Sequence, residues 1–124
     1  MQDLKAVFEA YGVDYQTTMN RFMGNNALYL KLLDLLFQDT NLRQLGEALD
    51  MNDLSGAFVA AHTLKGVVGN MGLSLLYDAV SAIVVPLRIG EPRDDYQAMF
   101  AAIQAEFQKA DRFRASLKEG GQIG

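Results

Sequence analysis

Residues 61–72 read Ala61-His62-Thr63-Leu64-Lys65-Gly66-Val67-Val68-Gly69-Asn70-Met71-Gly72, and they hold the only histidine of the chain. Three glycines follow that histidine at i+4, i+7 and i+10. At about 100° per residue, Ala57, Ala61, Leu64 and Val68 line up as one apolar stripe of a helix. His62 then points roughly 140° away from the stripe, toward solvent. Ser55, Gly66 and Gly69 share its face within about 40°, and Lys65 lies within about 60°. A mid-helix glycine costs roughly 1 kcal/mol relative to alanine, so two beside a histidine point to something that approaches the backbone closely. Phe58 and Val59 project the same way within roughly 60°, which suggests a docking patch around the imidazole. A lone surface histidine is ordinarily inert, and paired glycines ordinarily serve helix packing. Placement opposite the apolar stripe weakens the packing explanation.

Working outward, 124 residues of which 50% are hydrophobic are enough for one domain with one core. The absence of cysteine excludes a disulfide framework and thiolate zinc sites. No apolar run reaches the 18 or so residues of a membrane span, and Met1-Gln2-Asp3-Leu4-Lys5 carries no signal-peptide core. These features predict a cytoplasmic protein with no membrane partner, and a net charge of −4 argues against nucleic acid.

The flanking segments repeat the helical period. Asp3 to Ala10 reads as a short helix closed by Gly12, and Asp14 reads as the N-cap of a second, through Phe22 to about Gly24. Asn25 or Asn26 caps a long stretch to Asp50, with Leu28, Leu32, Leu35, Leu36, Leu42, Leu45 and Leu49 as its apolar positions. Asp39-Thr40-Asn41 interrupts that stretch as a kink or a break. The histidine helix is expected from about Asn52 to Met71, with Gly72 at C′. Ser74 is the expected cap of the next helix, which carries Leu76, Val80, Ile83 and Leu87 and stops around Pro86 to Gly90. Asp94 with Gln97 resembles a capping box for the last helix, which buries Phe100, Ile103, Phe107 and Phe113 or Leu117. Residues 119–124 are expected to be a flexible tail after a single domain spanning 1–118. The pattern predicts an all-α protein, an antiparallel four-helix bundle with short N-terminal helices.

Such a bundle with one histidine and no cysteine is poorly equipped for a metal or haem site. It has no Glu-x-x-His pair for a di-iron centre, no triad motif and no glycine loop after a strand to hold a nucleotide. What remains is an imidazole acting as a nucleophile itself.

The run His62-Thr63-Leu64-Lys65-Gly66, followed by small residues and Asn70-Met71-Gly72, resembles the signature of the histidine-containing phosphotransfer domain. Arg21-Phe22-Met23-Gly24-Asn25 and Leu42-x-x-Leu45-x-x-Ala48-Leu49 also resemble that family, so the similarity spans roughly residues 12–115. One departure stands out: the helix after the motif usually ends in Leu-Glu, and Ile83-Val84 occupies that place. The resemblance implies a phosphorelay intermediate, not an enzyme with its own kinase site. His62 would accept a phosphoryl group from a receiver-domain aspartyl phosphate and pass it to another receiver. Imidazole is a competent nucleophile near neutral pH, and Lys65, one turn on, can offer charge to the phosphoryl oxygens. Ser55, Phe58, Val59, Gly66, Gly69 and Asn70 would meet the partner, a response-regulator receiver domain or hybrid sensor kinase. No cofactor is expected on this chain, because in the family the Mg²⁺ belongs to the receiver.

Two rivals remain. One is a helical interaction module that binds a receiver or partner helix without being phosphorylated. The other is a ligand- or metal-binding bundle that joins Met19, Met23, Met51, Met71 or Met99 to His62, although methionines are more simply core filler. A further expectation concerns assembly. Val85 projects about 180° from the centre of the buried stripe of its helix, and Tyr77 and Val84 lie near its edge. The three could thus form an apolar patch for a homodimer or partner, with coverage by the N-terminal helices or the Pro86 turn as the simpler outcome and a monomer as the default.

Overall fold

The computed structural model describes residues 4–121. Its elements are α1 (Leu4–Ala10), α2 (Tyr15–Arg21), α3 (Asn26–Gln38), α4 (Asn41–Asp50), α5 (Leu54–Val68), α6 (Ser74–Arg88) and α7 (Tyr96–Gly121), with no strand among the described residues. α4 packs on α5, α5 on α6 and α6 on α7, while α7 closes the ring against α3 and α4. This is the expected four-helix bundle, with its first helix in two pieces. α1 packs on α7 and α2, outside the bundle proper.

Local chemistry explains most of the boundaries. Asp14 caps α2: its carboxylate accepts from the Thr17 amide at 3.2 Å and from the Thr17 hydroxyl at 2.9 Å. Those bonds, the backbone one first, hold its carboxyl below the usual range. Asn25 caps α3 by accepting from Leu28 N at 2.9 Å, and Asp53 caps α5 by accepting from Gly56 N at 2.9 Å. The interruption after α3 is a break. Asp39 is extended, and its carboxylate accepts from both the amide and the side-chain nitrogen of Asn41, at 2.7 and 2.8 Å. A side chain that satisfies the first donors of α4 outcompetes continuation of α3.

Several sequence expectations are corrected. The buried face of α3 is Tyr29, Leu33 and Leu36, whereas Leu28 and Leu35 are exposed. Leucine spacing alone selects the wrong edge because Tyr29 carries more buried surface than either leucine. α5 is shorter at both ends than expected, with Asp53 as its N-cap and Gly69 as its C-cap, and Asn52 has a left-handed φ of 55°. Ser74 is the first helical residue of α6 and makes no capping bond; Leu73 occupies the cap position. α6 does end at Arg88, within the expected Pro86 to Gly90, and it runs through Pro86 to get there. The proline ring is buried, and the ladder bond it forfeits is directed to Ala82, an exposed residue whose carbonyl can turn to water. No capping box forms at Asp94. α7 begins at Tyr96 after Asp95, whose carboxylate is held by Arg93 at 2.7 and 2.8 Å, and Gln97 bonds Asp50 instead. Of the expected tail, residues 119–121 are helical and 122–124 lie outside the described residues. Lastly, Val84 is 1% exposed and belongs to the core, so Tyr77, Val84 and Val85 do not form one surface patch. Its neighbour Val85 carries the exposed surface alone.

The end of the bundle nearest α1 is an aromatic cluster. Phe8 lies 5.0–5.2 Å from the rings of Tyr15, Tyr29 and Phe113, and Phe22 lies 5.2 Å from Tyr29. Tyr29 joins this cluster to the segment after α5, because its buried hydroxyl donates to Met71 O at 2.8 Å. Burial pushes that phenol's pKa upward, so it remains a neutral donor. Tyr29→Phe should strand the Met71 carbonyl and cost about 1–3 kcal/mol. Urea unfolding would measure it, and an unchanged midpoint would show that the bond contributes nothing.

Candidate functional site

α5 presents its apolar stripe inward as the sequence predicts: Ala57, Ala61, Leu64 and Val68 are all buried, and so is Ala60. His62 is left exposed near the middle of the helix. Its imidazole is not free to sweep. It stacks on Phe58, one turn earlier, with ring centroids 5.5 Å apart and 20° between planes. Phe58 is half-buried and carries the Arg88 guanidinium 5.8 Å from its centroid, so it props the imidazole instead of standing clear as a docking residue. One turn after His62, the Lys65 ammonium lies 5.6 Å from the ring centroid of Tyr77.

These two contacts fix the register of α6 against α5. Phe58 meets Arg88 and Lys65 meets Tyr77, so the helices run antiparallel and Val85 falls between the two contacts. Val85 is 68% exposed, Ile89 74% and Val59, on α5, 63%. Exposed apolar side chains are thus present on both α5 and α6, with the cations Lys65 and Arg88 held between the helices. Val59 was legible from helical angle. Arg88 and Ile89 were not, and Tyr77 was singled out only for an assembly patch, although Tyr77, Val84 or Val85, and Arg88 recur at the period of a helix face beside the buried stripe.

The remaining candidates divide. Gly66 faces open space: a Cβ built there would meet nothing within 4 Å. Gly69 does not share that role, because its Cβ would touch Tyr77 Cε2 at 3.5 Å and Lys65 O at 3.3 Å. Ser55 and Asn70 are both exposed but lie at opposite ends of the helix, roughly 10–12 Å along the axis from His62 at 1.5 Å per residue. Thr63 donates its hydroxyl back to Val59 O at 2.8 Å and is thereby occupied.

The C-terminal end of α5 is tied down from three sides. Arg21 Nη1 reaches Gly69 O at 3.5 Å, a cation at a helix C-terminus. Tyr29 holds Met71 O, and Gly72 turns the chain with φ of 74° while packed against Thr18 of α2. Among the described residues no three His, Cys, Asp or Glu side chains gather to hold a metal ion. The methionines are split between core (Met19, Met71) and surface (Met23, Met51).

An exposed, propped imidazole with a lysine one turn on and a clear backbone beside it is suited to taking up a group delivered by another molecule. A model of the Hpt domain family matches residues 31–113, the histidine helix and all its bundle neighbours included. The chain belongs to the Hpt domain family, the histidine-containing phosphotransfer domains. The fold comparison agrees. The structure is similar to the crystal structure of histidine-containing phosphotransfer protein B (HptB) from Pseudomonas aeruginosa PAO1, at 25% identity, with 90% of this chain and 96% of that chain covered and a TM-score of 0.68. The comparison with curated proteins gives no match. This Hpt protein is thus a histidine phosphotransfer intermediate of phosphorelays, a phosphocarrier with an all-helical fold. No helix of the described residues is long and apolar enough to cross a membrane.

Proposed function

We propose that His62 is the phosphoacceptor and that its donors and acceptors are receiver domains of response regulators or of a hybrid sensor kinase. The observation that carries this reading is that the only histidine in a chain of this family is exposed in mid-helix beside Gly66, above which the space is clear. In the forward step a neutral imidazole nitrogen attacks the phosphorus of an aspartyl phosphate. The N–P bond forms as the acyl phosphate O–P bond breaks, the carboxylate leaves with the electron pair, and the ring proton goes to solvent. The reverse step returns the phosphoryl group to a second receiver's aspartate.

The residues divide the work. Phe58 fixes the plane of the ring, which lowers the entropy cost of reaching an in-line geometry. Lys65 supplies positive charge to the equatorial oxygens, where charge develops in phosphoryl transfer. The cations Lys65 and Arg88 on a chain of net charge −4 draw an acidic, phosphorylated partner to this face of the molecule. Val59, Val85 and Ile89 supply apolar contact at the rim of the histidine. In this reading the Mg²⁺ stays with the receiver, and the chain acts as a carrier between receivers without a kinase site of its own. A cytoplasmic location goes with such partners.

The test is transfer from receiver domains pre-charged with acetyl phosphate and Mg²⁺. Phosphate should appear on this chain in an acid-labile, alkali-stable linkage, the behaviour of a phosphoramidate. Binding to receivers without transfer would favour a non-phosphorylated interaction module instead.

A further inference from the structure

We infer that Tyr77 is a positioning residue for phosphotransfer, acting through Lys65. This rests on the reading of His62 as acceptor and Lys65 as the charge beside it. Lys65 is half-buried, whereas a free surface lysine extends into water, and its ammonium lies 5.6 Å from the Tyr77 centroid. Among the ion pairs of the described residues none includes Lys65. Among the described residues its partner group is thus a ring, not a carboxylate. The distinction matters chemically. A carboxylate would neutralise the ammonium and compete with the phosphoryl oxygens for its protons. An aromatic face attracts the cation through its quadrupole and leaves both the full charge and the N–H donors available.

A second observation explains why the ring stays there. The edge of Tyr77 packs beside Gly69, where an added Cβ would meet Cε2 at an ordinary contact distance of 3.5 Å, so the ring rests along the α5 backbone. Gly69 follows Lys65 by one turn on the same face. The ring, the glycine beneath it and the ammonium form one packed unit on the α6 side of the histidine. Holding a long side chain to a narrow range of rotamers before the partner arrives removes an ordering cost from the transfer step. The ring is thus braced beside Gly69, while Gly66 is left open for the receiver.

Transfer from an acetyl-phosphate-charged receiver domain tests the assignment, with helicity and melting recorded for each variant. Tyr77→Leu, which keeps apolar bulk but no π face, should slow transfer by about two- to five-fold, the size of an exposed to partly desolvated cation–π contact. Tyr77→Phe should transfer at the wild-type rate, since the ring and not the hydroxyl is at work. In a Lys65→Ala background Tyr77→Leu should have no further effect, because a positioning role vanishes with the group positioned. Tyr77→Leu at the wild-type rate, or the same loss with and without Lys65, would overturn the inference while leaving His62 as acceptor intact. Lys65→Ala at the wild-type rate would overturn the charge role itself, and the inference with it.

Discussion

Replacing His62 by glutamine should abolish phosphorylation of the protein outright. No other imidazole exists in the chain to take over, and an amide nitrogen is not a nucleophile at neutral pH. The change should leave the fold close to wild type. His62 is exposed, and exposed substitutions are usually within about 0.5 kcal/mol. The exception to allow for is the stack on Phe58, whose loss adds roughly 0.5–1.5 kcal/mol at the upper end. Labelling from charged receiver domains, run beside a thermal melt, separates the two effects. Phosphate remaining on the glutamine variant in an acid-stable linkage would mark a serine or threonine ester and remove His62 from the mechanism. Receiver binding should survive the substitution, since the flanking Val59, Val85 and Ile89 and the cations Lys65 and Arg88 are untouched.

How much of this was legible in the residues depended on whether a feature is local. Two caps were: Asp14 and Asn25 bond amides three residues on, and short-range chemistry of that kind is written in consecutive letters. The inward stripe of α5 was legible too, because Ala57, Ala61, Leu64 and Val68 repeat at the helical period with no competing apolar face. α3 was misread because it is apolar nearly all round, so its leucines carry no phase information and the aromatic cluster decides which side is buried. At the site, the direction of His62 followed from angle alone. Its surroundings did not. The stack with Phe58 lies within α5 and could be anticipated from an i, i+4 spacing, but Arg88 and Tyr77 come from α6 and required the register between helices. Val84 illustrates the same limit: its placement in the core, in the position where the family usually has glutamate, is a tertiary fact.

The three glycines after His62 look alike in the sequence, and the structure gives them opposite signs. Gly72→Ala should destabilise the protein by roughly 2–5 kcal/mol. The residue has φ of 74°, where a Cβ costs about 1–2 kcal/mol. The added carbon would also run into Thr18 Oγ1 and stand 3.2 Å from Val13 Cγ1, overpacking a buried contact for about 1–3 kcal/mol more. Thr18 is among the few buried polar side chains and has little room to retreat. Against a margin of about 5–15 kcal/mol for a domain of this kind, that loss is large. Gly66→Ala should do the reverse and stabilise by about 0.5–1 kcal/mol, since helical backbone at an open position gains from alanine. Enlarging the same residue to glutamine should keep the stability gain yet slow transfer roughly ten- to hundred-fold, by displacing the incoming receiver from in-line geometry. Urea midpoints and transfer rates measured on the same three variants decide the matter. A Gly72→Ala protein as stable as wild type would mean the left-handed turn relaxes freely, and a Gly66→Gln protein that transfers at full rate would mean the receiver never approaches that backbone. The sequence spends one glycine on the turn that ends the histidine segment and another on access to the histidine itself, and only the first is a requirement of the fold.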